Sequence, residues 1–160
     1  MKNIFYAVAK GLLFAACSMY FGTGWSLVLF SFPIAKSLTP DNYYLQFVPQ
    51  VTAATHFFTY MTMVMIACYG IFIIEKWRSR EKWVPITGLI CILASTFLTM
   101  KFIFPYNEKM SSGIKEINEL QIVLNDWIDL NILRVAIWTV QWLVVMFYFS
   151  INVFRYEKTH

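Results

Sequence analysis

The stretch from Asp126 to Arg155 constrains this chain more than any other. After Asp129 it stays apolar long enough to cross a bilayer, whose hydrocarbon core needs about 20 residues of helix. Yet it carries Asn131, Arg134, Trp138, Gln141 and Trp142. These five recur at spacings of three and four, which puts them on one stripe of a helix. An Arg at membrane depth costs a few kcal/mol or more, so such a stripe turns toward a bundle interior, a wet cavity or the headgroups.

Three more apolar runs accompany it. With 59% hydrophobic and 14% charged residues in 160, and a mean hydropathy of +0.57, the chain is too apolar for an ordinary soluble domain. Its length suits a few crossings, and we read residues 1–160 as a single membrane domain with spans at about 11–35, 51–74, 84–104 and 130–154. The expected fold class is an all-α membrane protein, an antiparallel four-helix transmembrane bundle with an amphipathic segment between helices 3 and 4. The net charge of +4 is not gathered on one basic face, which argues against a nucleic-acid partner and leaves the lipid bilayer as the first partner.

In chain order, residues 1–10 form a short basic leader, and the apolar run beyond it continues well past Cys17. It is longer than the roughly 7–15 residues of a signal-peptide core, which disfavours both a cleaved signal and a lipidated Cys17. Cys17, Cys68 and Cys91 all lie in apolar runs and read as packing residues. Pro33 ends or kinks the first helix, and residues 36–50, with Pro40 and Pro49, read as a loop. In the second span Thr52, Thr55, His56, Thr59 and Thr62 repeat the three-and-four spacing. The turn over residues 75–83 is charged and bears Trp77 and Trp83 at the interface; Lys101 ends the third span by snorkelling. From Pro105 to Asp129 the chain is polar, with Ile114, Ile117, Leu120 and Leu124 at helical spacing, as an interfacial amphipathic helix requires.

Eight Lys and Arg fall in the leader, the second loop and the tail, against Lys36, Lys109 and Lys115 in the other two loops. Both termini are therefore expected in the cytoplasm, in a cell or inner membrane. His56, Asn131 and Arg134 then gather toward the outer end, and with Trp138 they are expected to border one polar cavity. His56 reads either as a general base or as a hydrogen-bonded packing residue; Arg134 reads either as a ligand for a developing oxyanion, as a snorkelling residue, or as the partner of Asp126, Asp129 or Glu108.

Pro105-Tyr106-Asn107 after the third span, then Trp127, then Asn131 and Arg134 three residues apart, resemble the four-helix membrane family that includes the anthrone oxygenases. The resemblance implies oxidation of a lipophilic aromatic or enolisable substrate by molecular oxygen with no recognised cofactor. On that basis His56 and Arg134 are the expected catalytic residues, with Asn107, Trp127, Asn131, Trp138 and Gln141 binding substrate; His56 and the lower stripe come from helical spacing and not from the resemblance. No metal site is expected: the chain lacks Cys pairs and a His–carboxylate cluster, and bis-His haem would need His160 in the tail as the second ligand. The competing class is a non-catalytic accessory or assembly subunit, with a membrane-protein partner or a second copy of the chain on its outer face.

Overall fold

The computed structural model describes residues 2–158, apart from the side chains of Lys2 and Tyr156; His160 lies outside the described residues. Four long helices account for nearly all of them. Helix α1 runs over Lys2–Ser26, passes through a π-helical turn at Leu27–Ser31 and ends with Phe32–Ala35. Helix α2 is Tyr43–Lys76. Helix α3 follows a short 3₁₀ turn, covers Trp83–Leu98, passes through a second π turn at Thr99–Ile103 and ends with Phe104–Ser111. Helix α4 is Ile117–Glu157. All four are long and apolar enough to cross a membrane. Neighbours in sequence pack side by side and α4 closes back onto α1, which makes an up-down-up-down bundle. The chain is an all-α integral membrane protein.

Several boundaries differ from the sequence expectation. The basic leader is helical from its first described residues, and the loop expected over residues 36–50 shrinks to residues 36–42, because α2 begins at Tyr43 and carries Pro49 inside it. Pro49 forfeits one backbone hydrogen bond, and burial of Tyr43 and Val48 under the end of the bundle offsets the loss. Likewise, Pro105 does not end α3. The amphipathic segment is present, but it forms the last turn before α4 and the front of α4 itself. Ile114, Leu120 and Leu124 are buried whereas Ile117 is half exposed, and Leu120, Leu124, Trp127 and Asn131 continue a single stripe.

The helices thus outrun the bilayer. At 1.5 Å per residue the 34 residues of α2 measure about 51 Å against a hydrocarbon core of about 30 Å. The surplus at one end builds a second core of Phe32, Leu38, Tyr43, Met110, Leu120 and Leu124. Tyr43 ties it together: its hydroxyl donates to the Met110 carbonyl (3.1 Å) and accepts from the Ile114 backbone N–H. The turn between α3 and α4 needs Gly113, whose φ of 88° a side chain would resist.

At the opposite end lie the start of α1, the α2–α3 turn and the end of α4. Lys10 pairs with Glu75 (2.8 Å), and Glu81 receives both Lys76 (2.7 Å) and Arg155 (2.9 Å). Trp77 and Trp83 are exposed there, as residues of an interfacial belt would be.

Candidate functional site

The two π turns face each other across the bundle. Each runs into a Phe-x-Phe-Pro sequence whose first two residues end the π turn and whose Phe-Pro starts the next helical segment: Phe30-Ser31-Phe32-Pro33 in α1 and Phe102-Ile103-Phe104-Pro105 in α3. A helical proline lacks an N–H, and its ring strikes the carbonyl four residues back. Those carbonyls belong to Leu29 and Lys101, inside the π turns, where the wider coil absorbs the conflict. Phe32 N–H bonds the Leu27 carbonyl and Phe104 N–H the Thr99 carbonyl, each five residues back.

Between the π turns, α2 and α4 lies a cavity of about 590 Å³. Leu27 and Ser31 line it from α1, and Thr99, Met100 and Ile103 from α3, so both π turns contribute wall. Helix α2 supplies Thr55, Phe58, Thr59 and Thr62, and α4 supplies Trp127, Arg134 and Trp138. Most of this surface is hydrocarbon or aromatic, and the hydroxyls of the α2 threonines are already satisfied. Thr55 and Thr59 bond the carbonyls of Val51 (2.8 Å) and Thr55 (2.7 Å), and Thr62 shares a 2.6 Å bond with Tyr20.

Arg134 is the exception. Its guanidinium donates to Asn131 Oδ1 and, at 3.4 Å, to Thr99 Oγ1, and it lies 4.7 Å from the Trp138 ring centroid. Among the described residues no carboxylate forms an ion pair with it, and its Nε is buried without a hydrogen-bond partner, as is Trp138 Nε1. The pairing with Asp126, Asp129 or Glu108, one of the three readings the sequence allowed, is not made; Asp126 instead accepts from Tyr106 (3.1 Å). A charge at this depth, half-buried and uncompensated, is costly unless an anion shares the space.

The chain of contacts continues outward. Asn131, fully buried, donates to the Trp127 carbonyl (2.7 Å), and Trp127 Nε1 donates to Asn107 Oδ1 (2.7 Å). Asn107, Trp127, Asn131 and Arg134 therefore form one hydrogen-bonded series along the cavity wall. Asn131 acts from behind: it holds Arg134 and is not itself a lining residue.

Two expected site residues are placed elsewhere. His56 is exposed and is not among the residues lining the cavity. The lining face of α2 centres on Thr55, Phe58 and Thr62, and at 100° per residue His56 falls roughly 120° around the helix from that face. Three-and-four spacing alone admitted either Thr55 or His56. Gln141 is buried, but below the cavity, where its Nε2 donates to Tyr69 Oη (3.0 Å) and the Gly88 carbonyl (3.4 Å). Tyr20, a buried floor residue with its hydroxyl on the Phe58 carbonyl (2.9 Å), was not anticipated. Neither were the π turns, although the repeated Phe-x-Phe-Pro was there to be read.

Among the described residues no three His, Cys, Asp or Glu cluster as a metal would need. What fold and site define is a membrane-embedded pocket with one uncompensated cation. Comparison with protein-family models, with curated proteins and with solved structures finds no match to this chain.

Proposed function

We propose that the protein is an anthrone-oxygenase-like oxidoreductase that binds a lipophilic aromatic compound as its enolate or phenolate, with the anionic oxygen at Arg134. The observation that carries this reading is the uncompensated Arg134 guanidinium on the wall of a cavity of about 590 Å³ whose surface is mostly apolar and aromatic and holds no other charged residue. Pockets of a few hundred Å³ with few, well-placed polar groups are the usual setting for such ligands. The hydrogen-bonded series through Asn107, Trp127, Asn131 and Arg134 supports it, because those residues carry the resemblance to the anthrone oxygenases.

The arrangement favours a substrate that ionises in water and binds as its anion. No carboxylate or imidazole lines the cavity as a base, and a fixed positive charge in a low-dielectric site stabilises the conjugate base without one. Trp138 and Phe58 offer faces for a planar ring. The electron-rich ring carbon then reacts with molecular oxygen: a ring CH₂ and O₂ become a ring C=O and H₂O, with one oxygen retained and the other leaving as water. The basic end of the bundle faces the cytoplasm in this reading, with both termini, and the cavity lies in the outer half.

The test is oxygen uptake and product formation with a panel of anthrones and lipophilic enols, for wild type and Arg134→Lys in detergent. Lys keeps the charge and loses the planar fork, so turnover should fall while folding survives. Stable wild-type protein that neither binds nor oxidises any of the panel would leave the accessory-subunit class in front. Labelling of Ser79 and Ser112 cysteine variants from opposite sides tests the orientation.

A further inference from the structure

Resting on the reading of the Arg134 cavity as the substrate site, we propose that the substrate is a tailed amphiphile. Its phenolic or enolic head lies at Arg134 while an aliphatic tail leaves sideways into the bilayer between α2 and the π turn of α3.

The gap is defined by what touches and what does not. Helix α2 packs against α3 along Trp83–Leu98 and again along Phe104–Ser111, with no comparable contact at the π turn Thr99–Ile103 between them. The residues that border that level on the two helices both line the cavity and face outward: Met63 on α2 and Met100 on α3 are exposed, at 61% and 63%. A wall residue this accessible from outside marks an opening and not a seal.

Along the bundle axis the cavity is closed at both ends. Tyr20 and Trp138 form the floor, edge to face at 4.6 Å, and Tyr20 is fixed by its two hydrogen bonds. Trp127 forms the roof, packed edge-on by Phe47 at 4.9 Å and by Phe32 at 5.7 Å. A sideways gap remains between α2 and the π turn of α3, and its chemistry suits a hydrocarbon chain. Thr96 and Thr99 return their hydroxyls to the Ile92 and Ser95 carbonyls, at 2.7 and 2.8 Å, and so turn their methyl groups outward from the hydrogen bond. Met100 and Met63 supply flexible, adaptable surface. A π turn on this edge fits the tendency of such turns to occur at functional sites.

The experiment uses the full chain in phosphatidylcholine nanodiscs with two probes, naphthol and a dodecyl-naphthol whose chain lies opposite the hydroxyl. Binding is expressed per mole of lipid, so that partitioning of the tail into the membrane cancels. Wild type should bind both within about threefold, because the tail stays in lipid, whereas Met63→Trp and Met100→Trp should each weaken the tailed probe at least about tenfold more than they weaken naphthol. Both positions are exposed, so neither change disturbs the core, and a melting curve verifies this. Exclusion of the tailed probe from wild type that binds naphthol overturns the proposal, as does indifference of the tailed probe to both substitutions. Absent naphthol binding, or naphthol binding that Arg134→Gln leaves untouched, overturns the substrate-site reading and this proposal with it.

Discussion

Arg134 and Gln141 share one stripe of α4, two turns apart, and the bundle treats them in opposite ways. Opposite Gln141 the helices close up. Gly88 lets Tyr69 approach so near that a Cβ there would stand 2.5 Å from the Tyr69 Cζ and Oη. The amide Nε2 finds the Tyr69 hydroxyl and the Gly88 carbonyl, while Oε1 is left without a partner, and Tyr69 also shares a 3.4 Å contact with Cys17 Sγ. Opposite Arg134 the helices part, both neighbours switch to π turns, and two nitrogens in the wall lack partners. Polar character on a membrane helix therefore has two meanings. Where the facing helix carries a glycine and closes on the polar group it is packed as structure, and where the facing backbone widens it borders a cavity.

The largest effect that can break this contrast is at Arg134. Arg134→Gln should lower turnover by the factor that one lost oxyanion contact costs, about 10²–10³ or 2.7–4 kcal/mol. The melting temperature in detergent should hold or rise, because an unpaired buried charge has been removed. A variant that unfolds while the surviving folded fraction keeps full turnover would make Arg134 structural and erase the difference between the two halves.

How far the sequence could lead to this contrast depends on which physical signal each feature leaves. The four spans are legible because a bilayer demands long apolar runs. The α4 stripe is legible because Trp127, Asn131, Trp138 and Gln141 all fall on one buried face. The continuity of α2 through Pro49 and of α3 through Pro105 was hidden, since proline is read locally as a stop and only tertiary burial of Tyr43 and Ile103 shows otherwise. The amphipathic segment looked separate because its flanks are polar. Its register, carried unbroken from Leu120 to Trp138, was the clue that it belongs to α4. Which polar residue faces a partner and which faces a cavity depends on the opposing helix, and no spacing rule on α4 alone contains that.

The closed half gives the next effect. Gly88→Ala places a methyl against the fully buried Tyr69 ring, and overpacking of this kind costs about 1–3 kcal/mol. Gly22→Ala is the matched control, with nothing within 4 Å of the added Cβ, and should be neutral or slightly stabilising. Unfolding of all three proteins in the same detergent reads the difference, and equal stabilities would show that the close approach at Gly88 is not what holds this half together. Tyr69→Phe should cost less, about 1–2 kcal/mol, through the Gln141 amide left with only the 3.4 Å bond to Gly88. Turnover per folded molecule should not change in either case, since neither residue lines the cavity.

The smallest effect is expected at His56, and it is the sharpest test of where the site ends. Sequence spacing put this imidazole beside Arg134 as a base, whereas it stands exposed on the far side of the Thr55 face. Reaching the cavity would require α2 to rotate by about a third of a turn. That rotation would expose Met65, Tyr69 and Phe72, which are now only 0%, 0% and 1% exposed, and at about 25 cal/mol per Å² of apolar surface such a loss exceeds what a catalytic contact returns. His56→Ala should therefore change stability by no more than about 0.5 kcal/mol, as exposed positions usually do. It should also leave turnover as in wild type, because the ring stands outside the cavity. Loss of turnover in a well-folded His56→Ala would mean that α2 does turn during the cycle. The base would then be supplied from outside the resting cavity, and the division between the open and closed halves would describe only one state of the protein.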